Sequence, residues 1–292
     1  MRTQILCVYI VLGFIIHQAS GAESDSTSHL IIRSIRIEGN SVTQSQVITR
    51  EMALHVGDSL SEAKLIQDRD HIYNLELFNK VTVTHADTAA FADLLVTVIE
   101  RWYIFPYPNF DLRSRDMSTL SYVLGVSDQN FLGRNEKLSV SFITGYNKTA
   151  SLNYQNPRLI DQDIFLRTTF SYRDSHNLSN SSNEFEQINR LASLSLGKRF
   201  GLFQTLIGTI GYQQWQIPDT SLGRTVSPDG TDRFLEFGLE YTYDARNVRE
   251  YPTDGFYFDA TTMNHGFGGE SRLSKRSPMR AIFDGIRYGI NS

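Results

Sequence analysis

The sequence predicts an α+β module of order β-α-α-β-β followed by an all-β antiparallel transmembrane β-barrel, of which the chain carries only part. Three observations lead there. The chain opens with an export leader. One stretch then switches from period two to helical spacing and back. After residue 105, long runs alternate apolar and polar residues, the pattern of pleated strands with unlike faces.

The leader comes first. Met1-Arg2-Thr3-Gln4 is a short basic start, and Ile5 to Ile16 is an apolar core too short to span a bilayer comfortably. Gln18-Ala19-Ser20-Gly21-Ala22 supplies small residues for cleavage after Ala22, so residues 1–22 read as a signal peptide. The single cysteine, Cys7, lies inside that core, which removes disulfide and thiol chemistry from the mature chain. Residues 23–29 are a Ser/Thr-rich, flexible lead. A net charge of −4 argues against nucleic acid as a partner. The 14 Tyr and 18 Phe, with no later apolar run of membrane-helix length, suit a barrel, where only one face of each strand is apolar.

Residues 30–101 form the predicted module. "LIIRSIRIEGN" reads as a strand with Ile31, Ile35 and Ile37 opposed by Arg36 and Glu38. Thr43 is a candidate N-cap with Gln46 three residues on, followed by a helical stripe from Val47 to Val56 that Gly57 stops. A second helix starts near Ser61, with Leu65, Ile66, Ile72, Leu75 and Leu77 inward. "KVTVTHAD" and "ADLLVTVIER" read as two paired strands. Here the residues match a family. "IRIEGNSVTQSQVI", "GDSLSEAKLIQDRDHIYNLELFNKVTV" and "LLVTVIER" resemble a POTRA domain, the polypeptide-transport module of BamA-like outer-membrane assembly factors.

Residues 102–292 begin at a direct junction. Trp102, Tyr103, Phe105 and Tyr107 are expected at a membrane–water boundary, and Pro106 and Pro108 exclude a helix. Alternation is clear in "EKLSVSFITGY", in "DIFLRTTFSYRD", in "RFLEFGLEYTYD" and in "RAIFDGIRYGI". The charges Arg167, Lys198, Glu236, Glu240 and Asp284 suit either a wet lumen or a water-exposed outer face. Strands of about nine to twelve residues are long enough to cross a bilayer at a tilt. "SHNLSNSSNEF" is expected to be a mobile loop.

The resemblance extends through "VSDQNFLGRNEKLSVSF", "SLNYQNPRL" and "YDARNVREYPTDGFYF" to the bacterial surface antigen β-barrel of the same family. The last of these is predicted to be a strand end, a tight periplasmic hairpin and the next strand, with Asp244, Arg246, Asn247, Tyr251, Pro252 and Gly255 shaping the turn. The family pattern implies about sixteen strands, against about ten alternating segments here. Its later Val-Arg-Gly-Phe loop and aromatic-ended final strand are missing. The chain therefore reads as the N-terminal part of a longer protein, with a closed ten-stranded barrel as the alternative.

Catalysis is not expected. The histidines lack metal-ligand spacing, no Ser-His constellation is visible, and "NHGFGGE" lacks the Lys-Ser/Thr ending of a phosphate loop. The resemblance implies a protein that inserts β-barrels into the outer membrane without a cofactor. Its implied partners are unfolded outer-membrane protein clients, outer-membrane lipid, and periplasmic accessory proteins or lipoproteins. The candidate client-strand edge is Lys80, Val81, Thr82, Val83 and Thr84, since an open strand edge can accept an added strand. The candidate barrel seam is Asn109, Phe110, Asp111, Leu112 and Arg113. A two-partner-type secretion pore for one exported substrate is the alternative function.

Overall fold

The computed structural model describes residues 30–88, 90–112, 117–159, 163–179, 182–267 and 280–284. Arg113 and the leader lie outside the described residues, as do Ile286, Tyr288 and Ile290.

The module runs β1 (Ile31–Glu38), α1 (Ser45–Thr49), α2 (Glu62–Tyr73), β2 (Phe78–Thr88) and β3 (Phe91–Glu100), the expected order. Its sheet is ordered β1-β3-β2, with β1 parallel and β2 antiparallel to the central strand. Ile48, Leu54, Leu65, Ile72, Leu94 and Val96 sit in one core between helices and sheet.

Three details of the module differ from expectation. Ile66, expected inward on the second helix, is 53% exposed, while the buried side is taken by Leu65, Asp68 and Ile72. The register of β1 shifts between Ile32 and Ser34, so Ile32 is buried while Ile31 is exposed. The first helix is also short. It is preceded by Gln44, not capped by Thr43, and it stops at Thr49. The chain beyond it is held by Asp68, whose carboxylate accepts Ala53 N at 2.6 Å and Leu54 N at 3.2 Å. These backbone donors are satisfied outside a helix, which removes the drive to extend one. Burial pushes the Asp68 carboxyl up, and the two N–H donors pull against it.

The second half is a meander: β4 (Ile104–Pro106), β5 (Asn109–Leu112), β6 (Leu120–Phe131), β7 (Glu136–Gly145), β8 (Lys148–Asn156), β9 (Ile164–Ser179), β10 (Ser182–Phe200), β11 (Gln204–Gln216), β12 (Thr231–Asp244), β13 (Tyr257–Phe267) and β14 (Arg280–Asp284). The eleven strands form one antiparallel sheet, with β4 and β5 both lying along β6. Among the described residues, β4 and β5 at one side and β14 at the other have no further strand partner, so the sheet is a partial barrel.

The two faces differ as period two requires. On the convex face, cross-strand partners line up as Leu152, Phe170, Ala192, Tyr212 and Leu235, with Leu194, Ile210 and Phe237 in the next row. Phe170 is 53% exposed and Leu239 50%, far more than a soluble fold would leave across a continuous row. Along β10 the apolar stretch lies between Arg190 and Lys198, separated by about 27 Å along the strand and ~20 Å in height at barrel tilt, close to the apolar band of outer-membrane barrels. Lys198 thus faces outward at the rim of the band. The concave face carries Arg167 paired with Glu240 at 3.7 Å, Ser195 with Thr209 at 2.8 Å, and Ser141 with Ser151 at 2.7 Å. Opposite charges reaching across β10 and β11 need that concavity.

Among the described residues "SHNLSNSSNEF" is strand where a loop was expected: β9 extends to Ser179 and β10 starts at Ser182, and Asn180 and Ser181 lie outside the described residues. A hairpin projecting past the membrane is wet on both faces, so it needs no alternation to remain paired.

Candidate functional site

Three sequence-predicted groups can be placed. Lys80–Thr84 lies on β2, which pairs only with β3 among the described residues and so carries an open edge. Val81 is buried in the module core, whereas Lys80 and Thr84 are exposed. Asn109–Leu112 forms β5, paired to β6 on one side only. Among the described residues, no hydrogen bond or ion pair joins the β2 edge to the seam. They are separate surfaces.

The hairpin residues do converge. Arg246 grips Asp244 through Nε at 2.7 Å and Nη2 at 2.9 Å, and its guanidinium stacks over the Tyr257 ring at 4.5 Å. Arg249 Nε adds a second cation 3.0 Å from Asp244 Oδ2. Asn247 closes the loop with one side chain: Oδ1 accepts Thr253 N and Asp254 N, each at 3.2 Å, while Nδ2 donates to Thr253 Oγ1 at 2.8 Å. Gly255 sits at φ 115°, where a Cβ would lie 2.3 Å from Ala245 O. Pro252 precedes it, and Tyr251 projects into solvent.

This hairpin also holds the module. Asn74, which ends α2, donates from Nδ2 to Asn247 O at 2.7 Å and accepts Arg249 N on Oδ1 at 2.9 Å. Glu250 receives Arg101 Nη2 at 3.1 Å and Tyr73 Oη at 3.3 Å.

Two further contacts between module and barrel were not foreseen. At the first, Gln44 N donates to Gly133 O at 2.9 Å and Gln44 Nε2 to Leu132 O at 3.1 Å, docking the β6–β7 turn on the module. Gly133 approaches so closely that a Cβ would fall 2.2 Å from Val42 O. Beside it is a buried polar chain. Tyr103 Oη donates to Leu77 O at 3.0 Å and lies 3.1 Å from Thr43 Oγ1, which accepts Asn130 Nδ2 at 2.9 Å. Tyr103 therefore belongs to the module core instead of the expected membrane boundary, and burial pushes its phenol up to about 12. Burial would likewise raise the Glu100 carboxyl, but bonds from Thr43, Ser41 and Val42 hold it below its ordinary value.

At the second, Glu51 of the module is buried between two barrel arginines. Arg158 Nη2 is 3.1 Å away and Arg199 Nη1 3.2 Å. Arg158 also reaches Asp163 at 3.4 Å. His71 lies nearby, and burial lowers its imidazole despite the attraction of Glu51 and Asp68. A polar cleft of about 420 Å3 opens between this cluster, the hairpin and the concave face. Together these contacts seat the module across the β6–β7, β8–β9, β10–β11 and β12–β13 turns, which all lie at one end of the sheet. Glu51, Arg158 and Arg199 carry no local sequence signal, because the chain separation of Glu51 and Arg199 is 148 residues.

The family model of the Omp85 superfamily domain matches residues 130–277, and that of the surface antigen variable number repeat (POTRA) matches residues 30–101. The outer membrane protein assembly factor BamA of Neorickettsia risticii (strain Illinois) is 26% identical over 193 residues, covering 63% of this chain and 26% of that protein. The crystal structure of BamA from Haemophilus ducreyi lacking POTRA domains 1-3 superposes with a TM-score of 0.55 at 19% identity, over 84% of this chain and 50% of that one. CdiB from Escherichia coli gives a TM-score of 0.50 at 15% identity, over 85% and 47%. At these identities the two structures share the fold. The chain spans 26% of the curated relative's length and about half of each solved neighbour.

Proposed function

This chain belongs to the Omp85 superfamily, and on that premise we propose that it takes part in inserting β-barrel proteins into the outer membrane. The protein resides in the outer membrane, with its POTRA module in the periplasm. In this reading an unfolded client pairs with the open β2 edge at Lys80–Thr84. Main-chain hydrogen bonds supply attraction without demanding one client sequence. The client then passes to the seam proposed at Asn109–Arg113, whose described part, Asn109–Leu112, has no second neighbour among the described residues. No covalent step and no cofactor enter the mechanism. Periplasmic accessory proteins or lipoproteins are candidate partners of the module's remaining surface.

The observation that carries the reading is the pairing of an open-edged module with a lipid-facing sheet, the two fastened by the contacts at Glu51, Gln44 and Asn74. A polar concave face also suits the second reading, a secretion pore for one exported substrate. Depletion separates them. Assembly predicts that many unrelated outer-membrane barrels fall together in a quantitative membrane proteome. Loss of a single secreted protein, with the barrels unchanged, would replace assembly by secretion.

A further inference from the structure

The first barrel strand is a single strand interrupted by proline. β4 pairs Ile104 with Asp128 and Pro106 with Val126, and β5 pairs Asn109 with Val123 and Leu112 with Leu120, all in one continuous register. Between them Tyr107 N still donates to Gly125 O at 2.9 Å, while Tyr103 O accepts Gln129 N at 3.0 Å. Odd-numbered residues therefore direct their backbone groups to β6. In an antiparallel ladder the alternate residues point the other way, so Ile104, Pro106, Pro108, Phe110 and Leu112 face the open edge.

That edge has been disarmed along most of its length. Pro106 and Pro108 have no N–H to offer. Phe110 N–H is taken by the neighbouring side chain, Asn109 Oδ1 at 2.8 Å. The Ile104 carbonyl accepts the Trp102 indole N–H. Ile104 keeps its N–H although its carbonyl is taken, and beyond the run from Pro106 to Phe110 the next edge residue whose donor is neither deleted nor occupied by these devices is Leu112. The same end carries an apolar groove of about 440 Å3 lined by Pro108, Phe110, Leu112, Met117, Leu120 and Tyr122. In lipid an orphan N–H is the costlier defect, while a carbonyl with a spare lone pair is better tolerated. Removing donors therefore lets this edge stand without a neighbour.

We propose that the first barrel strand is a self-capped edge that refuses strand addition from Pro106 to Phe110, leaving the isolated Ile104 N–H too short an edge to hold a strand, so that an incoming β-strand engages the seam at Leu112 and the adjoining apolar groove. This deepens the proposed assembly role and rests on it for the identity of the strand.

The test uses the full chain carrying Cys7→Ser, refolded in liposomes, with either Ile104→Cys or Leu112→Cys as the sole thiol. The probe is a synthetic peptide of alternating Val and Thr whose one central cysteine is activated as a mixed disulfide with 5-thio-2-nitrobenzoate, so that attack by the protein thiol releases the thiolate, and rates are normalised to maleimide labelling. Disulfide formation should be at least about tenfold faster at Leu112→Cys than at Ile104→Cys. Adding Pro106→Thr, Pro108→Thr and Asn109→Ala should bring the two sites within about threefold. Should that combination fail to fold, Asn109→Ala alone still frees the Phe110 donor and should give a smaller rise. Equal rates in the starting protein, or no rise at Ile104→Cys in any of these backgrounds, would overturn the proposal. Absence of cross-linking at both sites would remove strand addition at this seam from the proposed function. The capping itself would then be decided by whether the substitutions create a reactive edge.

Discussion

Replacing Glu51 should release the module from the barrel. The Glu51 side chain is 6% exposed, and those of Arg158 and Arg199 are 13% and 22% exposed. Removing the carboxylate strands two guanidinium groups in a poorly solvated cleft, a defect of about 3–5 kcal/mol for a buried pair. Arg158 retains Asp163, and Arg199 Nη2 retains Leu202 O at 3.1 Å, which places the loss near the lower end of that range. About 3 kcal/mol corresponds to a change of roughly 150-fold in the docking equilibrium. The assay is double electron–electron resonance between labels at Asp87→Cys and Thr220→Cys in a Cys7→Ser background. The parent should show one narrow distance. Glu51→Ala should broaden it strongly, and Glu51→Gln, which keeps the size and one acceptor oxygen but loses the charge, should broaden it less. An unchanged distribution in Glu51→Ala would refute the idea that this cluster fastens the two parts.

Further outcomes follow from neighbouring contacts. Asn74→Ala removes both hydrogen bonds to the hairpin and should weaken docking by about 1–2 kcal/mol, read by the same distance measurement. Gly255→Ala places a Cβ against Ala245 O in a left-handed conformation and should destabilise the β12–β13 hairpin by about 2 kcal/mol, seen as a lower thermal midpoint in detergent. His71 is depressed in the folded state from its ordinary 6.5, so its contribution to stability is complete above that value and is lost as pH falls through the lower folded value. His71→Gln should therefore flatten the fall in denaturant midpoint between about pH 7 and about pH 5, whereas an unchanged slope would assign the acid sensitivity elsewhere.

Legibility followed the range of the interactions. The hairpin at Asp244–Gly255 was readable because Pro252, Gly255 and the Asn247 side chain act within a few residues of one another. The module's order was readable because the helical and strand periods differ. Thr43 misled for a physical reason: its local pattern matched a helix cap, but its hydroxyl is drawn into the buried chain with Tyr103 and Asn130. Tyr103 likewise has the chemistry of a membrane-boundary aromatic, and only the fold shows that Leu77 O claims its hydroxyl. The Glu51 cluster was illegible because each member looks like an ordinary surface charge until three distant turns meet. The direction of Lys198 required register, which alternation alone leaves undetermined by one residue.

The most direct test of the central claim is a quenching scan along β12. Single fluorophores at Leu235, Phe237 and Leu239 should be quenched by a label buried in the lipid tails and spared by a water-soluble one. Those at Glu236, Gly238 and Glu240 should show the reverse. A scan without alternation, or with Leu235, Phe237 and Leu239 reached only from water, would contradict a sheet that faces lipid on its convex side.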